Sequence, residues 1–155
     1  MSNAFAGLIK ALSARVNVEL AIEDSVRVKA DFDNFALHIE HLAGGDQVLL
    51  AVSIAEVPAE GRQELYRELL QGQFLFGRTH GASLALDPAE EFICLQILQP
   101  ILELTQDNFP DLVETFLNLA EFWRQRCLTV SESPAGRLAD DQPSPAPADP
   151  GFLRA

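Results

Sequence analysis

The residues with catalytic potential lie around Ser83. Residues 81–85 read GASLA, one residue away from the G-x-S-x-G motif of serine hydrolases, and His80 precedes them. A nucleophile elbow requires a strand before the serine and a helix after it. Here a glycine-containing loop precedes Ser83, and a short apolar segment that ends at Asp87 and Pro88 follows it. This context argues against an esterase, so we assign no catalytic residue and expect no enzyme activity.

The histidines and cysteines raise a second possibility, metal binding. His38 and His41 flank Glu40, but positions 38 and 41 of a strand point to opposite faces, so the two rings cannot chelate one ion together. Cys94 and Cys127 are far from a C-x-x-C spacing, and reduced packing thiols are the simpler interpretation. No phosphate loop of the form G-x-x-x-x-G-K-[ST] occurs. We therefore predict neither a metal site nor a cofactor.

The charge balance narrows the range of partners. The 155 residues include 23 acidic and 11 basic side chains, a net charge of −12, and the two lysines, Lys10 and Lys29, are far apart. Nucleic acids and anionic membranes bind clustered Lys and Arg, so both are disfavoured. No apolar run approaches the ~18 to 20 residues of a membrane helix, and no signal peptide is recognisable. We expect a cytoplasmic protein without membrane insertion.

The chain divides into a domain, residues 1–130, and a tail, residues 131–155. The tail contains five of the nine prolines and few bulky apolar residues. Such a composition cannot bury enough surface to offset the entropy of ordering, which predicts a Pro/Asp-rich flexible tail. Phe152 and Leu153 near its end are apolar anchors that a groove of this or a neighbouring chain would accept.

In the first half of the domain, the spacing of apolar residues changes from one typical of a helix to one typical of strands. Five apolar residues between positions 5 and 16 share one helical face, which predicts a helix over about 3–16. Alternation with period two then indicates strands from 26 and from 35, and the apolar segment 47–57 indicates a central strand. Connections this short join neighbouring strands, so we expect a three-stranded antiparallel meander.

The second half repeats this alternation of helix and strand. Pro58 is typical of a first helical position and predicts a helix that ends before Gly72. Residues 83–86 and 92–98 form a second hairpin, and a last helix begins at Asp107 or Asn108 and ends near Cys127. The predicted fold is α+β, a single domain of order α-β-β-β-α-β-β-α with a twisted, mainly antiparallel sheet flanked by helices.

Residues 69–126 resemble the closing half of class I type III secretion chaperones, the Tir chaperone (CesT-type) family. The resemblance begins with the small-residue loop at Gly81, which leads into a short strand and the Asp87-Pro88 turn. It continues through the apolar strand at 92–97 and ends in a helix whose last turns read Ala120-Glu121-Phe122-Trp123-Arg124. Over residues 3–127 the element order, the acidity and the small size are similar as well.

The resemblance implies a function for the chain. Members of the family are small dimeric proteins that hold an N-proximal segment of an effector extended and soluble for export, without ATP or catalysis. An effector protein and a second copy of the chain are thus the expected partners. The alternative is a small α+β regulatory or ligand-binding domain with a closed, polar-lined pocket between helix and sheet.

Two sets of apolar residues are candidates for these contacts. The resemblance places the dimer contact on the second helix and the strands after it, and we expect effector binding on the first helix and the sheet beside it. Of all candidates on the first helix, Phe5 is expected to be the most exposed, because it lies near the terminus. The effector-binding candidates are Phe5, Leu8, Leu12, Val28, Phe32 and Leu37, and the dimer candidates are Leu65, Tyr66, Leu69, Leu70, Phe74 and Phe76.

Overall fold

The computed structural model describes residues 3–132, and its elements follow the predicted order. They are α1 (Asn3–Val16), β1 (Arg27–Phe32), β2 (Phe35–Leu42), β3 (Gln47–Glu56), α2 (Arg62–Gln73), β4 (Ser83–Leu86), β5 (Phe92–Pro100) and α3 (Asn108–Glu132). The α+β class and the element order are confirmed. The predicted tail comprises residues 131–155; residues 131 and 132 belong to α3, and the rest of the tail, with the anchors Phe152 and Leu153, lies outside the described residues.

The five strands form one antiparallel sheet in the order β1-β2-β3-β5-β4. The meander, the central position of β3 and the β4–β5 hairpin are as predicted. Alternate side chains, such as Leu37 and Ile39, are buried on one face of the sheet. On the other face Lys29, His38 and Gln96 are exposed. The sheet is therefore covered on one side and open on the other.

The helices pack against the buried face at different places. Helix α3 contacts β3 and α1, whereas α2 contacts α3 and the short edge strand β4. Trp123 of α3 is fully buried, and its indole nitrogen donates a hydrogen bond to the carbonyl of Arg78, at 3.2 Å. Of the helices in residues 3–132, none has the length and apolarity needed to cross a bilayer. Helix α3 therefore lies between the other two helices.

Both predicted ends of α2 are wrong. The helix begins at Arg62 instead of Pro58, because Gly61 adopts a left-handed conformation with φ of 74° and helical backbone cannot pass through it. It also continues through Gly72 to Gln73. A Cβ atom on Gly72 would lie 2.0 Å from Cη2 of Trp123, so this glycine allows the two helices to approach closely instead of ending one of them.

Helix α3 begins at Asn108, as predicted, but it ends later than predicted. Asn108 and Thr105 exchange hydrogen bonds at the N-terminus, where the Asn108 side chain accepts from the Thr105 N–H and the Thr105 hydroxyl accepts from the Asn108 N–H. The helix ends at Glu132 and not near Cys127. The first helix-breaking residue downstream is Pro134, so nothing in the sequence stops the helix earlier.

Candidate binding surfaces

The predicted effector-binding residues are mostly part of the core. Five of the six, Phe5, Leu8, Leu12, Val28 and Leu37, are at most 2% exposed. The expectation that Phe5 is exposed is wrong, because its ring stacks on that of His41 with the centroids 5.5 Å apart. Helix α1 packs against α3, and its Phe5 ring contacts β2. A partner can therefore reach only the rim of this helix.

One groove opens where α1 ends. This α1–α3 groove has a volume of about 380 Å³ and lies between the end of α1, the β1–β2 turn and α3. It includes two of the predicted effector-binding residues, Leu12 in its floor and the half-buried Phe32. Its lining is Leu12, Arg15, Val16, Phe32, Asp33, Asn34, Phe35, Pro110, Val113, Glu114, Leu117, Asn118 and Glu121.

The rim of the α1–α3 groove is charged. Arg15 forms an ion pair with Asp111. Glu121 accepts hydrogen bonds from Arg124, at 3.0 Å, and from Gln125, and the Arg124 bond in particular holds the pKa of the Glu121 carboxyl below its usual value. Glu121 therefore stays ionised at neutral pH. The groove combines an apolar floor with fixed negative charge at its edge.

A second groove flanks α3 on its other side. This α3–β5 groove has a volume of about 510 Å³, and its lining is Gly77, Arg78, His80, Ile97, Leu112, Thr115, Phe116, Asn118, Leu119 and Phe122. The Arg78 guanidinium lies 5.5 Å from the Trp123 ring centroid and 6.0 Å from that of Phe122. Glu68 of α2 holds it, since one carboxylate oxygen lies 3.4 Å from Arg78 and 2.6 Å from Arg126.

The predicted dimer residues fall into two groups. Leu65 and Leu69 are buried within the chain and Tyr66 is half-buried. The other three, Leu70, Phe74 and Phe76, are 73%, 69% and 52% exposed. Together with Leu75, which is 70% exposed, they form a patch that we call the α2-end patch.

The backbone of the α2-end patch is strained. Leu75 and Phe76 have φ values of 52° and 55°, in the left-handed region that bulky residues rarely adopt. Such conformations persist where the surrounding structure enforces them, and they concentrate at functional sites. Their effect here is to turn apolar side chains toward solvent. The α2-end patch is thus exposed apolar surface on a strained backbone, which makes it a candidate interaction surface.

The residues with catalytic or metal-binding potential remain apart. His38 is exposed and His41 is 7% exposed, so their predicted location on opposite faces of β2 is confirmed. Within residues 3–132 no group of three or more His, Cys, Asp or Glu side chains could hold a metal ion. Burial raises the pKa of the Cys127 thiol to about 11, and the charge of Glu68 adds to this. Cys127 is therefore a neutral packing thiol.

Several residues that line these surfaces were not among the candidates predicted from the sequence. Leu117, Leu119 and Phe122 line the two grooves. One signal was available, because the buried positions of α3 other than Pro110 (109, 113, 116, 120, 123 and 127) alternate spacings of four and three. These three apolar residues lie off that stripe, as expected for apolar surface beyond the core.

The fold and the surfaces define a class of protein before any comparison is made. A small α+β domain with two apolar grooves beside α3 and a strained apolar patch offers contact surface to other polypeptides. The model of the Tir chaperone protein (CesT) family matches residues 7–124, and the chain belongs to this family. The match includes the first half, where the resemblance rested on element order alone. The chain is a type III secretion chaperone.

Solved structures of low sequence identity share the fold. A chain of the ExsC–ExsE complex matches with a TM-score of 0.68 and 20% identity, covering 80% of this chain and 92% of that chain. A chain of the HopA1–SchA chaperone–effector complex matches with a TM-score of 0.63 and 19% identity, covering 79% of this chain and 94% of that chain. A chain of the ExoU–SpcU heterodimer of the Pseudomonas aeruginosa type III secretion system matches with a TM-score of 0.61 and 16% identity, covering 79% of this chain and 96% of that chain. No curated protein gave a significant sequence match.

Proposed function

We propose that the protein binds an N-proximal segment of a secreted effector and keeps it extended and soluble for export. It acts in the cytoplasm as a homodimer, and it uses neither ATP nor a catalytic step. Membership of the chaperone family carries this proposal. Support comes from the HopA1–SchA neighbour, which is a chaperone–effector complex. An extended partner can be held by apolar pockets alone, so no reactive group is required.

The effector segment binds in the α1–α3 groove. This groove contains Leu12 and Phe32, and it lies on the side of α3 that faces α1. The α3–β5 groove is the poorer candidate, because its lining residues Gly77 and Arg78 directly follow Phe76 of the α2-end patch. A second copy packed on that patch would also approach the α3–β5 groove.

The second copy packs on the α2-end patch. Its four apolar residues are more than half exposed. Exposure of a contiguous apolar patch to water is unfavourable, and a second copy would bury it. Leu70, Phe74 and Phe76 belong to the predicted dimer set, and Leu75 joins them. Leu65 and Leu69 support this surface from within the chain and do not contact the partner.

Co-purification tests the binding function. The tagged chain is used to capture its partner from the source organism, the partner is identified by mass spectrometry, and its N-proximal fragment is titrated by calorimetry. Leu117→Gln removes apolar area from the groove without adding charge, and we expect it to weaken binding about tenfold or more. Leu102→Gln is the matched control, since Leu102 is 89% exposed and lines neither groove.

Two results would contradict the proposal. One is equal affinity of the Leu117→Gln and Leu102→Gln chains for the fragment, with both folded by circular dichroism. The other is binding that requires the folded domain of the partner instead of its extended segment. A small-ligand function is not favoured, because both grooves are open and mostly apolar, whereas such a function predicts a closed, polar-lined pocket.

A further inference from the structure

We propose that the segment bound in the α1–α3 groove carries a lysine or arginine next to its apolar anchor. This inference rests on the proposed function and specifies the chemistry of the partner at that site. It follows from the charges around the groove and from the way in which they are already paired.

Four ionisable side chains line the groove. Three are acidic, Asp33, Glu114 and Glu121, and one is basic, Arg15. Adding the partners of the paired residues, Asp111 for Arg15 and Arg124 for Glu121, leaves the balance unchanged at two negative charges. The excess of two negative charges is therefore the same whether or not these partners are counted.

The excess charge belongs to two particular residues. Arg15 is neutralised by Asp111 and Glu121 by Arg124, but Asp33 and Glu114 form no ion pair with any Lys, Arg or His of residues 3–132. Both carboxylates are exposed at the rim, one on the β1–β2 turn and one on α3. They therefore flank the apolar floor from opposite sides.

A segment bound in this groove contacts both the apolar floor and the charged rim. An apolar side chain fills the floor between Val113 and Leu117, and the residues next to it pass the two unpaired carboxylates. A basic residue there gains attraction, whereas Asp or Glu is repelled. Exposed pairs of this kind change affinity by a small factor each, so the charge selects among segments while the apolar anchor supplies most of the binding.

The α3–β5 groove shows that this preference is local. Its lining contains Arg78 and His80 and no Asp or Glu. Both grooves lie against the same helix, and Asn118 lines both. The net charge of −12 would attract basic segments everywhere on the protein, but of these two grooves it is the α1–α3 groove that combines unpaired carboxylates with an apolar floor.

Short fluorescent peptides test the inference without the natural effector. The set shares two leucines in a serine background and carries two lysines, two serines or two glutamates beside them. Fluorescence anisotropy at low salt should show the lysine peptide binding about fivefold to tenfold more tightly than the glutamate peptide. The ratio should shrink as salt screens the charges. Leu117→Gln should weaken all peptides alike.

The deciding comparison uses two double variants of equal charge. Asp33→Asn with Glu114→Gln should bring the lysine-to-glutamate affinity ratio close to one. Glu90→Gln with Glu91→Gln removes the same charge from the β4–β5 turn, at the opposite edge of the sheet from β1, and should preserve the ratio.

Three results would overturn the inference. They are an unchanged ratio in the groove variant, an equal loss in both variants, and no measurable binding of any peptide. If the effector fragment binds in the α1–α3 groove while the ratio is insensitive to Asp33 and Glu114, only the charge preference fails. If Leu117→Gln leaves effector binding intact, the proposed site itself fails.

Discussion

Helices α1 and α2 are both amphipathic, yet they use their apolar residues differently. The apolar face of α1 is buried in the core, with Phe5, Leu8 and Leu12 at most 2% exposed. At the end of α2, Leu70 and Phe74 are 73% and 69% exposed. The difference is one of position, since α1 packs against α3 and against His41 of the sheet, whereas α2 contacts α3 and the four-residue edge strand β4. A short edge strand cannot cover a whole helix.

This comparison teaches where a small chaperone can display apolar surface. The covered face of the sheet is buried in the core, so apolar surface is displayed where an element extends beyond that face. The α2-end patch and the α1–α3 groove are both such places, one at the end of a helix and the other at the rim of the sheet. Four predictions test the comparison, in order of decreasing effect.

The largest difference is expected between two phenylalanines. Phe5→Ala opens a cavity in the core and should lower the free energy of unfolding by about 3–5 kcal/mol. Phe74→Ala removes an exposed side chain, and at concentrations where the chain is monomeric it should change that free energy by less than about 0.5 kcal/mol. Urea denaturation at several protein concentrations separates folding from association. Equal losses would refute the contrast between α1 and α2.

The second prediction concerns assembly. Leu70→Asp with Phe74→Asp should convert the dimer into a folded monomer, with a loss of about 2 kcal/mol or more in association energy. Light scattering gives the mass and circular dichroism the fold. Leu102→Asp, at a leucine outside the patch, should remain dimeric. Leu69→Asp is unsuitable, because Leu69 is 7% exposed and its substitution would unfold the chain. A wild-type chain that scatters as a monomer would disprove the dimer.

A third prediction tests the contact that fixes α2 against α3. Gly72→Ala places a methyl group into the Trp123 ring and should cost about 1–3 kcal/mol of stability. The control is Gly44→Ala in the β2–β3 turn, where a Cβ atom meets nothing within 4 Å. Thermal unfolding monitored by tryptophan fluorescence compares the two. A neutral Gly72→Ala would mean that α2 is free to shift away from α3.

The smallest effect concerns two thiols on opposite sides of the sheet. Cys94 is half-buried and hydrogen-bonds with Ser53 on the open face, whereas Cys127 lies on the buried side of α3 with its pKa raised to about 11 by burial. Iodoacetamide at pH 8 should label Cys94 first, because thiolates react and the Cys127 thiol stays protonated. A Cys94→Ser chain should then label slowly until urea unfolds it. Rapid labelling of that chain would place Cys127 at the surface.

Local sequence was sufficient for the order of the elements. The change of apolar period from helix to strand after residue 16 located the meander, and Asp87 located the second hairpin. Asp87 stabilises the turn between β4 and β5, because its carboxylate accepts hydrogen bonds from the N–H groups of Phe92, Glu91 and Ala89. These bonds, the Phe92 bond foremost, lower the pKa of Asp87. These signals act over a few residues, so they can be interpreted without a fold.

The ends of α2 show where local signals fail. Proline begins helices and glycine ends them by tendency only, and here Gly61 begins the helix while Gly72 lies inside it. What decides the second case is Trp123, 51 positions away along the chain, whose ring occupies the space that a side chain would need. No local pattern contains that contact.

The exposure of apolar residues was decided by tertiary structure in the same way. The sequence by itself determined the α+β class, the acidity and the resemblance to a chaperone family, because periodicity, charge and turn chemistry are local. It could not distinguish Leu69, which is 7% exposed, from its neighbour Leu70, which is 73% exposed. Which of two adjacent leucines meets water depends on where α3 and β4 lie, and that arrangement is fixed only when the whole core packs.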